Sequence, residues 1–339
     1  MLWRDDRPER PRTIANPSIT ELQQAAQMAK LGLIGLGNLG RALGEQLSKA
    51  SLVVFDRHAA KTLENAVTVA SVADVVARST TVVSCVPDDA AATAVADELL
   101  SAAKPGLLHV SVSTLSPVCA TDLERKHQEA GVGFVAAPVF ARPENMRAGQ
   151  ASFALSGGDA ALRRRAVDEA LSHAAPAERC FDFGDSAGAA AAAKLTGNFM
   201  IAGAIEALAE GLDLAEGHGL DRQQVLRMLT STIFDCAIYR GYGDRIARRD
   251  HSEGGFSMAN GLKDARLIRD AAAATRTAMP LGAHLAASFE IAAMDPNISH
   301  LDWSALALHV AGLAGAPPTP APPGTRWDGH PSSSATSRR

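Results

Sequence analysis

Lys194 and Asn198 stand one helical turn apart in an alanine-rich run, and that pairing can move a proton. A lysine drawn into a cleft loses affinity for its proton and becomes a general acid/base near neutral pH. An amide one turn away can orient a substrate hydroxyl or the amine itself. The chain holds seven lysines against 26 arginines, and after Lys126 only Lys194 and Lys263 occur beside 18 arginines. Arginine stays charged and does the general cationic work, whereas lysine can be tuned to titrate. Gly197, between the pair, costs roughly 1 kcal/mol against alanine inside a helix. Something is therefore expected to pack very close there, a neighbouring helix being the plainer explanation. Lys263, in Gly261-Leu262-Lys263-Asp264, can reach a cofactor or substrate, or simply pair with Asp264.

A second group of residues suits a dinucleotide. Gly35-Leu36-Gly37-Asn38-Leu39-Gly40 follows the apolar run Leu31-Gly32-Leu33-Ile34 directly. Glycines at this spacing give a tight turn, close approach of backbone to a pyrophosphate and close helix–strand packing, and the helix N-terminus receives the negative charge. Asp56 ends the next apolar run 21 residues after Gly35, where a carboxylate accepts the adenosine-ribose hydroxyls and repels a 2′-phosphate. Arg57 and Lys61 could reach toward such a phosphate, so NAD is favoured over NADP only slightly. Cys85-Val86-Pro87-Asp88 closes the fourth apolar run, and Val86 with Pro87 is expected to wall the cofactor.

Two further strand exits can meet a substrate. In Ser111-Val112-Ser113-Thr114-Leu115-Ser116-Pro117, Ser116 and Pro117 form a helix cap and first-turn pair. Ser113 and Thr114 have no such duty, and their hydroxyls can bind nicotinamide or substrate. In Ala137-Pro138-Val139-Phe140-Ala141-Arg142-Pro143, two prolines stiffen the loop and Arg142 could clamp an anionic group in bidentate fashion, or stand solvated beside Glu144.

The elements that must position these residues follow from pattern. Short apolar runs near 31–35, 51–56, 67–70, 80–86, 107–112 and 133–137 alternate with helical stretches near 38–50, 58–65, 71–78, 89–102 and 116–130. That alternation predicts a parallel sheet covered on both faces, a Rossmann-type doubly wound α/β domain. A strand–helix–strand unit near 152–183 completes it. From Ser186 the strand signal ends, and helices are expected near 186–217, 221–231, 235–248, 257–275, 280–293 and 302–311. Ser186–Gly217, about 32 residues at ~1.5 Å each, would span roughly 50 Å as one helix. Asp185 and Ser186 are N-cap types. Lys194, Asn198, Ile201, Ile205, Leu208 and Leu212 share one face, while Glu206, Glu210 and Asp213 make the flank of the second half acidic. Such a helix starts buried, finishes half solvated and joins the two domains.

The domain boundaries expected are 28–185 for dinucleotide binding and 186–314 for an all-α domain. Residues 1–27, rich in Arg, Asp, Glu, Pro and Gln, read as a disordered extension, too charged for a secretory signal and too acidic for a transit peptide. Met28, just before the first strand, is an alternative start that N-terminal sequencing of the native protein would decide. The Pro- and Ser-rich tail at 315–339 cannot bury enough apolar surface to order itself.

Composition narrows the function classes. Of 339 residues, 47% are hydrophobic and 21% charged, with a net charge of −4, which gives no electrostatic case for nucleic acid or an anionic membrane. No apolar run approaches membrane-span length. Four scattered cysteines without a Cys-x-x-Cys pair read as reduced thiols of a cytoplasmic protein. The histidines lack metal-ligand spacing, so no metal is expected.

Taken together, Gly35-Leu36-Gly37-Asn38-Leu39-Gly40, Ser113-Thr114-Leu115-Ser116-Pro117, Ala137-Pro138-Val139, Lys194 with Asn198, Lys263-Asp264 and Asp302-Trp303-Ser304-Ala305 resemble the β-hydroxyacid dehydrogenase family. That family contains 3-hydroxyisobutyrate dehydrogenases, tartronate semialdehyde reductases and glyoxylate/succinic semialdehyde reductases, and its cofactor domain is of the 6-phosphogluconate dehydrogenase type. The resemblance runs from about Met28 to Leu313. It implies an NAD(P)-dependent dehydrogenase acting on the CH–OH of a small β-hydroxy acid or its semialdehyde. It also implies Lys194 as the catalytic residue, Asn198 as a substrate-positioning residue, and a homodimer or homotetramer formed through the helical part. Five residues in three places depart from the family's pattern. Phe140-Ala141-Arg142 stands where Ser-Gly-Gly usually holds the substrate carboxylate, Ser111 where an Asp is frequent, and Gly197 where an Asn is frequent. The departures leave open an imine or other carbonyl reductase of the same fold, or a non-catalytic NAD(P)-binding regulator. Imine reductases commonly lack a lysine at the position of Lys194.

Overall fold

A computed structural model of the chain describes residues 31–252 and 255–313. The extension expected at 1–27 and the tail expected at 315–339 lie outside the described residues. Leu31–Ile34 (β1), Leu52–Phe55 (β2), Val67–Thr68 (β3), Thr81–Ser84 (β4), Leu108–Ser111 (β5) and Gly133–Ala136 (β6) form one parallel sheet in the order β3-β2-β1-β4-β5-β6. Ile34 lies level with Phe55 on one side and Ser84 on the other. The loops leaving β1, β2 and β4 therefore emerge together at the point where strand order reverses, the crevice in which such sheets bind ligands.

Helices Asn38–Leu47 (α1), Val72–Arg78 (α2), Asp89–Ser101 (α3) and Pro117–Glu129 (α4) cover the sheet. Ser71, Asp88 and Ser116 cap α2, α3 and α4 by accepting the N–H of the third helical residue. Leu43 and Leu47 pack on one face of the sheet, and Val75, Val76 and Leu99 on the other. The helix expected near 58–65 does not form. That segment is turns, with Asn65 at a φ of 60° and Leu63 as its one buried anchor. One apolar residue offers no helical stripe to bury, and Asn tolerates the left-handed conformation that ends the segment.

A small second sheet, Val139–Phe140 (β7), Ser152–Leu155 (β8) and Cys180–Asp182 (β9), carries the chain away from β6. The short helix Pro143–Arg147 (α5) and Ala160–Glu169 (α6) lie within it. The sequence predicted only a stiff loop at Pro143, but proline is also well suited to a first helical turn. Among the described residues no strand follows β9. Ala187–Gly217 (α7) comes next, then Arg222–Thr230 (α8), Ala237–Arg248 (α9), Met258–Thr275 (α10), Pro280–Met294 (α11), a 3₁₀ turn at Trp303–Ala305, and Leu306–Leu313 (α12).

α7 belongs to both halves. Ala187, Ala190 and Ala191 pack with Leu123 and Phe134 of the sheet region, whereas Ala202, Ile205, Leu208, Ala209 and Leu212 sit in the core of the helical region. Lys194 and Asn198 occupy the turn between these two cores. The start of α7 is not capped as the sequence predicted. Ser186 makes no side-chain cap, and Asp185 pairs with Arg163 at 2.8 Å. The Glu124 carboxylate on α4 accepts the Ala187 N–H (3.0 Å), and Ser156 Oγ accepts the Ala190 N–H (2.9 Å). A buried helix start needs acceptors fixed by packing, and an anion suits the positive end of the helix dipole. The acidic flank also differs from expectation. Glu206 is buried and paired with His284 at 2.7 Å, Asp213 and Glu216 pair with Arg222, and Glu210 is exposed.

Candidate active site

The glycine loop is shaped by backbone contacts. Gly35 has a φ of 99°, the left-handed region that favours glycine, and a Cβ there would stand 2.2 Å from the Cys85 carbonyl oxygen. A Cβ at Gly40 would stand 2.2 Å from the carbonyl oxygen of Gly35. Gly37 is the opposite case, since a Cβ there would meet nothing within 4 Å. No side chain caps α1, whose N-cap is Gly37 itself. A tight turn, a close crossing, and an open glycine before an uncapped helix start together fit a dinucleotide pyrophosphate.

Asp56 closes β2 beside this loop. Its carboxylate accepts the Leu36 N–H at 2.7 Å and the His58 N–H at 2.8 Å, with Lys61 Nζ 3.7 Å away. Burial alone would raise its pKa. The two N–H donors and Lys61 outweigh burial, so the group is held below the usual carboxylate range and ionised. Arg57 is exposed at the same edge.

Across the crevice, Ser113 Oγ accepts the Val86 N–H at 2.8 Å and so ties the exits of β4 and β5 together. That is a structural duty the sequence did not reveal, although the hydroxyl keeps its proton for a ligand. The Thr114 carbonyl accepts Lys263 Nζ at 3.0 Å, and the same ammonium lies 2.8 Å from Asp264 Oδ1. Lys263 thus bridges the sheet region to α10. It has the ion pair allowed for in the sequence, and an interdomain contact besides.

Lys194 is different. Only 7% of its surface is exposed, and among the described residues no carboxylate or hydrogen-bond acceptor engages its amine. Its Nζ lies 4.1 Å from the centroid of the Phe140 ring. A ring face favours an ammonium, but burial dominates and lowers the lysine to about 8. Asp264 opposes the shift and Lys263 adds to it. Asn198, also buried, donates to Asp264 Oδ2 and is thereby held one turn from Lys194. A small hollow behind that pair is lined by Phe199, Leu285, Phe289 and Trp303.

The close packing predicted at Gly197 comes from Phe140, not from a helix. A Cβ at Gly197 would stand 2.4 Å from Phe140 Cε1. Arg142, two residues beyond Phe140, for which the sequence left open a substrate clamp or a solvated place beside Glu144, lies between Asp302, Tyr242 and Glu144. Its guanidinium lies 3.5 Å from Asp302 Oδ2 and 5.6 Å from the centroid of Tyr242, with Glu144 at 3.8 Å. Asp302 has no exposed side-chain surface and also accepts the N–H groups of Phe256 and Ser304. Trp303 Nε1 donates to Tyr242 Oη at 2.8 Å. The structure therefore brings together Lys194, Asn198 and Phe140, and separately the glycine loop with Asp56. Asp264 and Tyr242 were not singled out as site residues from the sequence. Asp264 had one signal, its place directly after Lys263, while nothing local marks Tyr242.

Comparison with known proteins gives this arrangement its context. Residues 30–184 match the NAD-binding domain of 6-phosphogluconate dehydrogenase, and residues 188–309 match the NAD-binding region of NADP-dependent 3-hydroxyisobutyrate dehydrogenase. An uncharacterized oxidoreductase of Bacillus subtilis is 32% identical over 286 residues, covering 82% of this chain and 98% of that protein. A probable 3-hydroxyisobutyrate dehydrogenase of Mycobacterium tuberculosis is 30% identical over 292 residues, covering 82% and 97%. The solved structure of M. tuberculosis 3-hydroxyisobutyrate dehydrogenase with L-serine superposes with a TM-score of 0.72 at 29% identity, covering 83% of this chain and 98% of that one.

Proposed function

The chain belongs to the β-hydroxyacid dehydrogenase family of NAD(P)-dependent oxidoreductases, and from that premise we propose that it interconverts a small alcohol and its carbonyl compound with Lys194 as general acid/base. A bound nicotinamide supplies or accepts the hydride. In oxidation, neutral Lys194 takes the hydroxyl proton; in reduction, protonated Lys194 returns it to the forming alkoxide. A pKa near 8 leaves both forms populated near neutral pH. Asn198 donates one amide N–H to Asp264, and its second N–H is left to donate to the substrate oxygen. Ser113 and Thr114 line the same crevice as further substrate contacts.

The observation that carries this reading is a buried lysine whose amine forms no ion pair among the described residues, set where the two cores meet. β-Hydroxy acids and their semialdehydes are the first substrate class to examine, because the M. tuberculosis relative is named for 3-hydroxyisobutyrate and was solved with L-serine. Reduction of an imine or a carbonyl without a carboxylate is the second reading, favoured by Phe140 beside Lys194. The test is NADH and NADPH oxidation with aldehyde acids, keto acids, uncharged aldehydes and cyclic imines, run beside Lys194→Ala. The variant is expected to lose roughly 10²–10⁴-fold in turnover. Wild-type turnover in the variant would contradict the assignment, and cofactor binding without turnover by the native enzyme would favour a regulator.

The glycine loop, Val86, Pro87 and Asp56 would hold the cofactor, with NAD slightly preferred because Asp56 is held ionised. We take 28–185 as the cofactor domain and 186–314 as the substrate and assembly domain. Exposed Met200, Ile233, Ile291 and Met294 of the helical part support a homodimer or homotetramer, and a monomer in light scattering would refute it. Among the described residues no helix is long and apolar enough to cross a membrane. The four unpaired cysteines support a reducing, cytoplasmic location, to be checked by cell fractionation.

A further inference from the structure

The wall beside Lys194 is made by two residues packed closely against each other. Phe140 ends β7, where it pairs with Ser152 of β8, so its position is set by a sheet ladder. From there its ring covers the Lys194 amine at 4.1 Å and occupies the space that a side chain at position 197 would fill. Gly197 is an unfavourable residue for a helix interior, and the ring gives its absence of a side chain a purpose. The one cation of the same loop, Arg142, is turned to Asp302 and Tyr242. Beyond Lys194, whose amine serves the reacting oxygen, the wall among the described residues offers a phenyl face and no free positive charge.

We propose that Phe140, given room by Gly197, is the specificity-determining residue of this site, selecting carbonyl or alcohol substrates that place an uncharged, apolar group against the ring and disfavouring those that place a carboxylate there. The inference rests on the hydride-transfer reading above and names its substrate class. The physical reasons are direct. The face of a phenyl ring carries negative partial charge and repels an anion, and it donates no conventional hydrogen bond. A carboxylate desolvated against it either goes unpaired, a heavy penalty, or takes the Lys194 ammonium away from the reacting oxygen. An alkyl or aryl group meets the opposite conditions. Specificity of this kind is a ratio of kcat/KM values, and one group in the wall can set it.

Butanal and succinic semialdehyde test this, because they have the same chain length to the aldehyde and differ in a methyl against a carboxylate. The wild-type enzyme is expected to prefer butanal in kcat/KM. Phe140→Ser is expected to move the ratio toward the acid by about tenfold or more, while Phe140→Leu, apolar but without the ring, keeps butanal preferred. Gly197→Asn alone is expected to depress activity on both aldehydes, and Phe140→Ser in the same chain is expected to restore it, a coupling that a mere loss of fold would not show. NADH fluorescence titration confirms that each variant still binds cofactor. A wild-type preference for the acid, or a ratio unmoved by Phe140→Ser in an enzyme that still depends on Lys194, overturns the proposal and leaves the hydride-transfer reading standing. Turnover of neither aldehyde with either cofactor, or activity indifferent to Lys194→Ala, overturns that reading and this one with it.

Discussion

A methyl group at Gly40 would strike the carbonyl oxygen of Gly35 at 2.2 Å, and one at Gly197 would strike the Phe140 ring at 2.4 Å. The two contacts are almost equally close and differ in kind. Around the cofactor loop backbone meets backbone, and no exchange of side chains can relieve a clash there. Beside Lys194 a side chain meets backbone, and trimming that side chain removes the clash. One half of the site is therefore fixed by the fold, while the other can be recut by two substitutions with the cofactor loop left in place. A fold of this design can keep one redox cofactor and change the compound it acts on.

The contrast can be broken at several points. Gly40→Ala is expected to destabilise the apo protein by about 1–3 kcal/mol, an overpacking cost, and to weaken cofactor binding with it. Gly37→Ala faces open space, so thermal denaturation should find the apo protein within about 1 kcal/mol of wild type. Its NADH affinity should nevertheless fall, since the methyl enters the space meant for the pyrophosphate. Gly37→Ala protein that binds NADH normally would remove the pyrophosphate from that position.

On the other wall, Arg142→Ala strips the guanidinium from the buried Asp302 carboxylate. A stability loss of roughly 1–3 kcal/mol is expected, less than for a fully buried pair because Arg142 is partly exposed. If stability is unchanged and only hydroxy-acid affinity drops, the arginine is a substrate clamp after all. The smallest effect belongs to Asp56→Asn, which removes the charge that repels a 2′-phosphate and should raise NADPH use relative to NADH by roughly tenfold or less. An unchanged cofactor ratio would place the choice with Arg57 and Lys61.

The same division explains what the sequence made legible. Alternating runs announced the parallel sheet and the later helices, and the glycine spacing announced the loop, because each is a local pattern. Lys194 with Asn198 was visible for the same reason, one helical turn apart. What escaped notice joins residues far apart in the chain: Phe140 on Gly197, Arg142 on Asp302, and Glu124 capping Ala187. Ser113 gained a duty toward Val86 that only the neighbouring strand exits create. Glu206 looked like a solvated flank until His284 was seen to pair with it. Local propensity cannot report such pairings, since the partner's identity is set by topology.

The central claim is that the buried Lys194 moves the substrate proton, and the pH dependence of kcat/KM tests it most directly. In the free enzyme the amine titrates near 8. Oxidation needs the neutral amine, so its kcat/KM should rise through about pH 8 and level above it, while reduction needs the ammonium and should fall over the same range. Lys194→Ala should lose that ionisation from whatever activity remains. A profile flat between pH 7 and 9, or the same step persisting in Lys194→Ala, would contradict the account.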